Sequence, residues 1–594
     1  MSETYLARLD ERRAALAARE RVHRRLGRIS LGLALVAIGL LVIDGDVTLP
    51  GLVAIGVVFA GVAVVHTRVL DARDRARAAV AFYERGLARL RHDWIGHGES
   101  GERFRPATHL YADDLDLFGR GSLFELLATA RTQAGEETLA AWLTAPAPPE
   151  EIRLRQAAVR ELIPALDLRE QMAVAGDGLP QAGVHAEALR GWAARPPILR
   201  HPWPRVLMAA LSAFVLPAIV WILATDHPSP WVPRLVLVCL AVQLGMALWV
   251  RTRVVETLHT VVPRARDLDL FASLLRVLEE PTFTSDRLKA LSQALDREHR
   301  PASAEIARLD RLVGLLSLRS NIFTGIPAGL AFWGTQMALA MDAWRMRHAA
   351  DIPRWLEVVG EFDALLALAT FAAEHPDYTF PDLVSSDATV HAEQLAHPLL
   401  SSSAVANDLS LGGAAPHLLV VSGSNMSGKS TLLRALGLNV VLAQTGAPVR
   451  ATRFVLSPLA AGASIRILDS LMDGKSRFYA EITRLKQIVD LVDASNGRVL
   501  FLLDEILSGT NSHDRRHGAE ALLTGLVRRG AIGLVTTHDL ALGEIAVRLG
   551  PLAANVHFED RFEQGLMTFD YRLREGVVRT SNAVELMRSV GLDV

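Results

Sequence analysis

Four long runs without a charged side chain constrain the fold of this 594-residue chain more than any other feature. They form two pairs, each with a short turn between its members, and they cover residues 29–43, 47–65, 206–224 and 235–250. A helix needs about 20 apolar residues to cross the hydrocarbon core of a bilayer, and fewer apolar residues usually mean a buried core helix. The lengths favour two membrane-spanning helical hairpins over buried core helices.

The arginines around the two pairs indicate an orientation. They cluster at the outer ends of both pairs, whereas the turns within the pairs carry little positive charge. By the positive-inside rule, the outer ends lie in the cytoplasm. We therefore predict a multi-pass protein of the cell membrane with both termini in the cytoplasm. A signal peptide is disfavoured because no small-residue cleavage site follows Ile43. A fifth run, residues 322–341, contains Gln336, and the sequence leaves open whether it is a span or a core helix.

The octapeptide GSNMSGKS, residues 423–430, follows an apolar run typical of a strand and precedes a helical pattern. This is the G-x-x-x-x-G-K-[ST] pattern in the strand–loop–helix context that a phosphate-binding loop requires. The glycines allow backbone N–H groups to surround phosphates, Lys429 reaches the β- and γ-phosphates, and Ser430 offers a hydroxyl to Mg²⁺. We predict an ATP site formed by Gly423, Ser424, Asn425, Met426, Ser427, Gly428, Lys429, Ser430 and Thr431.

Two further apolar runs end in residues suited to phosphate chemistry. Residues 498–505, RVLFLLDE, are typical of a buried parallel strand followed by two acids. We predict that Asp504 holds Mg²⁺ and that Glu505 polarises the attacking water. Residues 531–540, AIGLVTTHDL, predict another central strand with His538 after it. His538 is a candidate sensor of the γ-phosphate, and a purely structural histidine is the alternative.

Taken together, these segments resemble the MutS-type mismatch-repair ATPases. The loop SGSNMSGKSTLLR contains the Asn425-Met426 pair of that family, and DEILSGTNSHDRRHGAEA and TTHDLAL resemble its later ATPase motifs. The stretch DSLMDGKSRFYAEI, residues 469–482, resembles the family's signature loop, with Arg477 in place of threonine. The resemblance implies that Ser476 acts in trans on the ATP of a partner subunit, and hence a homodimer through the ATPase domains. Ala404 lies near the position where the family often stacks an aromatic side chain on adenine.

The resemblance extends to residues 114–162, which are similar to the start of the family's helical core. It implies an α+α/β multidomain chain, with a P-loop ABC-type ATPase domain of mixed sheet and helices after an all-helical core. The tripeptide FYE, residues 82–84, matches the mismatch-reading motif only superficially, and we expect it on a helix surface. We predict five parts. Residues 1–100 form an N-terminal hairpin and a charged helix, and residues 101–200 form the first part of the helical core. Residues 201–255 form the second hairpin, residues 256–380 the second part of the core, and residues 381–594 the ATPase domain.

The resemblance implies a membrane-anchored MutS-like ATPase, related to mismatch repair, in which ATP and Mg²⁺ drive a dimeric clamp that binds DNA. The alternative is an ATP-driven membrane scaffold or regulator that binds protein or lipid. The net charge of −2 neither demands nor excludes nucleic acid. The single cysteine, Cys239, excludes an intramolecular disulfide. The basic residues of the second core part alternate with acids, and a solvated helix face explains them as well as phosphate contacts do; they include Arg287, Lys289, Arg297 and Arg300.

Overall fold

A computed structural model describes most of the chain. The described residues are 1–43, 49–130, 132–176, 186–199, 201, 203–225, 229–261, 265–297, 300–316, 325–424, 426–466, 477–507, 511–563 and 566–578. The predicted residues Asn425 and Ser476 lie outside these ranges.

The first part of the chain is almost entirely helical. Its fifteen helices are α1 (Ser2–Ile43), α2 (Leu49–Leu90), α3 (Leu123–Leu127), α4 (Gln133–Thr144), α5 (Pro149–Leu162), α6 (Leu166–Gly176), α7 (Ala186–Ala193), α8 (Trp203–Ala224), α9 (Trp231–Val261), α10 (Ala265–Glu279), α11 (Asp286–Leu295), α12 (Ala302–Gly314), α13 (Gly325–Leu330), α14 (Trp333–His348) and α15 (Asp351–Glu374). A two-stranded hairpin of β1 (Asp296–Arg297) and β2 (Arg300–Pro301) separates α11 from α12.

The second part combines two sheets with four helices. The strands are β3 (Asp382–Leu383), β4 (Thr389–Leu395), β5 (Asn407–Gly412), β6 (Leu418–Ser422), β7 (Arg453–Leu456), β8 (Ala460–Ser464), β9 (Val499–Asp504), β10 (Ile532–Thr537), β11 (Ala553–Glu563) and β12 (Leu566–Glu575). The helices are α16 (Lys429–Thr445), α17 (Arg477–Ala494), α18 (Ser512–Arg528) and α19 (Gly543–Leu549).

The larger sheet has the order β12-β11-β6-β10-β9-β8. Its strands β8, β9, β10, β6 and β11 pair in parallel, and β12 pairs antiparallel to β11. The smaller sheet has the order β3-β7-β4-β5 and is also mixed. The predicted strands at β6, β9 and β10 are confirmed, and each is buried along nearly all of its length because helices cover both faces of the sheet.

The two faces of this sheet contribute to different cores. Leu500 and Leu502 of β9 face α16 and the helical part of the chain, in the largest apolar cluster. Phe501 and Leu503 alternate to the opposite face, where residues of α17, α18 and α19 cover them. Helix α15 crosses the first of these cores and is buried at every residue from Phe362 to Glu374, as the apolar stretch ALLALATFAA, residues 364–373, demands. One packed core thus joins the helical part to the sheet.

Two buried carboxylates fix α1 and α2 to the helical core, and we call them the carboxylate anchor. Glu374, the last residue of α15, accepts two hydrogen bonds of 2.7 Å from Arg89 and one of 3.2 Å from the Tyr5 hydroxyl. Glu170 of α6 accepts hydrogen bonds from Arg12 at 2.6 Å and from the Tyr83 hydroxyl at 2.5 Å. Every charge of the anchor is therefore paired, as burial requires.

The expectation that FYE lies on a helix surface is wrong for two of its residues. Phe82 and Tyr83 are 5% and 0% exposed and pack against Tyr5 and Leu9 of α1. Only Glu84 lies at the surface, where it pairs with Arg13 at 2.8 Å. The cause is the pairing of α1 with α2, which covers a face that the sequence of α2 alone leaves open. The burial of both rings is incompatible with a wedge that stacks on a base.

The second pair of apolar runs forms an antiparallel hairpin of α8 and α9. Gln243 of α9 donates hydrogen bonds to Ser212 at 2.8 Å and to the Met208 carbonyl at 3.2 Å. Gln336 of α14 donates to the same Ser212 hydroxyl at 2.8 Å. This polar cluster fixes the mutual register of α8, α9 and α14.

The described ranges contain three helical segments that are long and apolar enough to cross a membrane, namely Ala54–Leu90, Trp203–Ala224 and Trp231–His259. The apolar end of α1 is not among them. The fifth apolar run is not one continuous helix, because Phe332 interrupts it with a left-handed φ of 50° between α13 and α14. Helix α13 has only six residues, too few to span a bilayer.

We predict that Glu374→Ala destabilises the protein by about 3–5 kcal/mol, because Arg89 would then be a buried charge without its partner. The side chains of Arg89 and Glu374 are 11% and 1% exposed. The control Glu84→Ala breaks the Arg13 pair, whose side chains are 54% and 49% exposed, and should change stability by about 1 kcal/mol or less. Thermal unfolding followed by circular dichroism measures both. Equal shifts of the two variants would contradict a structural role of the anchor.

Candidate functional site

The loop between β6 and α16 has the backbone shape that its glycines allow. Gly423 and Gly428 have φ values of 148° and 105°, and α16 begins directly after Gly428. A Cβ atom at Gly423 would lie 2.7 Å from the Ser427 hydroxyl, and one at Gly428 would lie 3.2 Å from the Tyr571 ring. Side chains are therefore excluded at both positions. Met426, with φ of 69°, points outward and is 83% exposed.

Lys429 folds back onto this loop. Its ammonium group donates hydrogen bonds to the carbonyl oxygens of Gly423 at 2.9 Å and Ser424 at 2.8 Å. Burial lowers the pKa of Lys429, and the opposing charges of Glu505 and Asp504 only partly offset this effect. The buried hydroxyls of Ser424 and Ser427 make no hydrogen bond within the described structure. A loop with a buried cation and two unsatisfied hydroxyls fits an anionic ligand with several acceptor oxygens.

The register of the parallel strands brings the remaining predicted residues to this loop. Thr537 of β10 pairs with Ser422, directly before the loop, and Thr536 pairs with Asp504 of β9. The Thr536 hydroxyl donates to the Asp504 carboxylate and accepts the Glu505 N–H at 3.1 Å. The ends of β6, β9 and β10 thus meet at one edge of the sheet, where ligands of open parallel sheets bind.

Glu505 and His538 are in direct contact. The Glu505 carboxylate lies 2.5 Å from Nε2 of His538, and this nitrogen lies 3.4 Å from the Lys429 ammonium. Glu505 adopts a left-handed φ of 48°, which the Thr536 hydrogen bond to its N–H supports. The three side chains most directly predicted for phosphate chemistry therefore converge, although they come from three different strand ends.

Asp504 and Ser430 are the predicted Mg²⁺ ligands. Asp504 ends β9, and Ser430 lies in the first turn of α16. Among the residues with described positions, no group of three or more His, Cys, Asp or Glu side chains could hold a metal by itself. Mg²⁺ bound with a nucleotide uses one or two protein ligands and takes the rest from phosphates and waters. The pair therefore fits this ion only together with a phosphate ligand.

A cavity of about 400 Å³ opens beside the loop. Lys429, Ser430, Thr431 and Glu505 contribute polar groups to its lining. Its apolar lining includes Leu395, Leu400, Ala404, Val405, Phe558 and the ring of Tyr571. A volume in this range with a lining of apolar side chains and a few polar groups is typical of a small-molecule pocket.

Tyr571 is a residue of this cavity that the sequence did not indicate. It lies on β12, where Asn407 holds the strand by donating to the Tyr571 carbonyl at 3.0 Å and accepting the Leu573 N–H at 2.7 Å. Its ring approaches Gly428 and is 44% exposed. The antiparallel return of β12 places this ring above the loop, and no local motif marks that return.

The segment that carries Ser476 is tied down on both sides of the undescribed residues 467–476. Before it, the buried carboxylate of Asp114 accepts the N–H groups of Ile465 and Arg466, each at 2.7 Å. After it, the carboxylate of Glu481, which is 1% exposed, accepts the N–H of Leu507, two residues beyond Glu505. The predicted in-trans loop is therefore linked to the helical core on one side and to the Glu505 loop on the other.

Comparison with known proteins agrees with this geometry. Residues 419–593 match the model of MutS domain V. The DNA mismatch repair protein MutS of Natronomonas pharaonis is 37% identical over 240 residues, which are 39% of this chain and 27% of that protein. The corresponding protein of Thermus thermophilus is 32% identical over 261 residues, 43% of this chain and 30% of that protein. The mismatch repair protein MSH3 of Phaeosphaeria nodorum is 34% identical over 233 residues, 38% and 20% of the two chains.

Residues 419–593 of the chain are thus identified as a MutS domain V. The domain V match covers β6, the loop, α16 and the strands that bring Asp504, Glu505 and His538 together. The chain spans less than a third of the length of the three relatives, so their similarity speaks for domain V and not for a whole mismatch-repair protein.

We predict that Tyr571→Ala weakens binding of an adenine nucleotide roughly tenfold, because stacking of a base on an aromatic ring contributes about 1–3 kcal/mol. Titration with a fluorescent ATP analogue measures the affinity. Tyr571→Phe retains the ring and should bind as the unchanged protein does. Equal affinities of all three proteins would show that the base lies elsewhere.

Proposed function

We propose that this chain is a membrane-anchored MutS-family protein that binds ATP with Mg²⁺ and hydrolyses it. The observation that carries the proposal is the convergence of Lys429, Glu505 and His538 beside a cavity of about 400 Å³. The unsatisfied hydroxyls of the loop suit the triphosphate of a nucleotide, and the apolar side chains in the cavity lining suit its base.

In this proposal each side chain has a role that follows from its position in the site. Bound ATP supplies the phosphoanhydride bond that water cleaves. Lys429 exchanges the carbonyls of Gly423 and Ser424 for phosphate oxygens, while Ser430 and Asp504 hold Mg²⁺. Glu505 orients the attacking water and accepts its proton, and His538, in contact with Glu505, senses the γ-phosphate end of the site.

We further propose a homodimer in which Ser476 of each subunit completes the partner's site. The ties of Asp114 and Glu481 on either side of residues 467–476 support this arrangement, because they couple that segment to the core and to Glu505. A change at the ATP would thereby alter the dimer contact and the helical core together.

There are two candidate binding partners for the helical core. The relatives are named as DNA mismatch repair proteins, and we therefore propose DNA as the first candidate. One observation favours the second, a membrane scaffold or regulator that acts on protein or lipid. Arg287, a candidate phosphate contact, donates from Nε and Nη2 to the two carboxylate oxygens of Glu361, and its Nη2 lies 3.5 Å from Glu151. A paired guanidinium of this kind is not available to a DNA backbone.

The membrane proposal rests on the exposed faces of the helical hairpins. Large apolar side chains that would contact water in solution face outward on α2, α8 and α9; they include Val57, Phe59, Val220, Leu223, Leu237 and Trp249. Exposed apolar side chains that recur along three long helices differ from the single, scattered apolar residues normal for a soluble surface. A bilayer satisfies these faces, and it also explains the arginines at the outer ends of both hairpins.

For the ATPase, we expect Glu505→Gln to bind ATP normally and to lose hydrolysis roughly a hundredfold or more, because a general base contributes about 10²–10⁴ to the rate. Lys429→Ala should lose ATP binding itself. The control Lys486→Ala removes an exposed lysine whose pair with Asp490 is superficial, and it should retain both properties. Turnover and equilibrium binding of full-length protein in lipid nanodiscs measure these effects. Normal turnover by Glu505→Gln would refute its role.

The same turnover assay distinguishes DNA from a protein or lipid as the binding partner. Stimulation by duplex DNA that disappears at high salt would establish DNA as the partner, since phosphate contacts release counterions. A difference between matched and mismatched duplex would add mismatch recognition. A turnover rate that DNA does not change at any salt concentration would favour the membrane scaffold or regulator.

For the membrane anchor, we expect the full-length protein to float with neutral phosphatidylcholine vesicles in a density gradient and to resist extraction by alkaline carbonate. Apolar helices of this length insert without help from surface charge. Complete extraction by carbonate would show that the hairpins are not inserted.

A further inference from the structure

Four arginines surround the outer end of the second hairpin, and we call them the membrane-edge arginines: Arg205, Arg251, Arg308 and Arg347. Arg205 lies in the first turn of α8, and Arg251 follows the apolar run of α9. Arg347 is the second-last residue of α14, and Arg308 lies in α12. The four side chains therefore come from four helices.

Hydrogen bonds place the ends of these helices together. Hydrogen bonds join the side chains of Ser212, Gln243 and Gln336, so these residues lie at the same height in the neighbouring helices α8, α9 and α14. From that level, Arg205, Arg251 and Arg347 are about 10, 12 and 16 Å along their helices, at a rise of 1.5 Å per residue. All three lie toward the same end, because the segment before α8 contacts both neighbours there: the Ile198 N–H donates to Asp342 at 2.7 Å, and Arg253 donates to the Ile198 carbonyl at 3.0 Å.

Arg308 joins the group through the packing of α12 on α14. His348, next to Arg347, lies 3.3 Å from Glu305, which is one helical turn before Arg308. Helix α14 also contacts α8, so the three helices that carry Arg205, Arg308 and Arg347 pack next to one another.

The carboxylates nearest the group have other neighbours. Glu305 and Asp351 each lie 3.3 Å from a ring nitrogen of His348, and Asp342 pairs with Arg345. Within the described residues, none of the membrane-edge arginines forms an ion pair or a side-chain hydrogen bond. Guanidinium groups held close together without a counter-charge favour an external anion.

We propose that the membrane-edge arginines bind the phosphate of an anionic phospholipid headgroup in the cytoplasmic leaflet. The inference rests on the membrane anchoring proposed above and adds the lipid class. The neighbours of Arg205 on α8 support a lipid over a soluble anion, because Trp203 and Val206 are 61% and 66% exposed and would lie among headgroups and upper acyl chains. Planar guanidinium forks then bind phosphate oxygens two at a time, above an apolar surface that holds the chains.

The test uses the triple variant Arg205→Gln/Arg308→Gln/Arg347→Gln. Its matched control is Arg153→Gln/Arg453→Gln/Arg529→Gln, which removes the same charge from arginines that pair with Glu150, Glu393 and Asp493. Full-length proteins in neutral detergent are titrated with phosphatidylglycerol and phosphatidylcholine, and bound lipid is counted by native mass spectrometry. An arginine near an anionic headgroup contributes about fivefold in affinity.

The unchanged protein and the control should prefer phosphatidylglycerol by roughly tenfold or more, and the triple variant should lose this preference. The corresponding triple lysine variant retains the charge and should recover part of it, which separates lost charge from lost folding. Equal preference in the triple variant and the unchanged protein would overturn the proposal. So would full competition by inorganic phosphate, which would indicate a free-phosphate site, or loss of duplex DNA binding with unchanged lipid preference, which would indicate a DNA site.

Flotation with neutral vesicles separates this inference from the anchoring on which it rests. Protein that fails to float refutes the anchor, and with it the lipid site. Protein that floats with phosphatidylcholine but shows no preference for phosphatidylglycerol refutes the lipid site alone.

Discussion

The burial of α15 is the constraint on which the rest of the structure depends. The second half of this helix, residues 362–374, is buried at every position, and α4, α5, α7 and α11 contact the helix. Its last residue, Glu374, carries a charge into that apolar environment, and Arg89 and Tyr5 satisfy it from α2 and α1. Shortly after this helix, Thr379 exchanges backbone hydrogen bonds with Val449, which follows α16, in an isolated bridge outside both sheets. The pairing of one carboxylate thus joins the N-terminal hairpin to the chain segment that packs beside the end of α16.

A second connection runs from the helical part to the nucleotide loop. Arg434 of α16 donates to the Asp114 carbonyl at 3.0 Å, and the Asp114 carboxylate holds the backbone that leads to the Ser476 segment. Burial raises the pKa of Asp114, and the two N–H groups of Ile465 and Arg466 oppose that shift by favouring the carboxylate. Helix α16 and the residues that follow β8 are consequently bonded to the same stretch of the helical part.

Sequence patterns predicted the features that local chemistry determines. The strands before Gly423 and before Asp504 were predictable because a strand buried on both faces is continuously apolar. The positions that the sequence did not predict correctly are those whose environment depends on partners distant in sequence. Phe82 and Tyr83 are buried because α1 folds back along α2, and Tyr571 reaches the loop because β12 returns along β11. Arg287 reads as a free basic residue until Glu361, which is 74 positions away, is placed beside it.

The same distinction explains why the net charge of −2 says so little about partners. Arginine serves two opposite purposes here. Arg89, Arg287 and Arg345 neutralise acids inside the helical part, and removing their partners would leave buried charges. None of the membrane-edge arginines forms such an ion pair within the described residues, so solvent or an external anion can screen their charges. The pairing state of each guanidinium, and not the number of arginines, therefore separates structural cations from those available to a ligand.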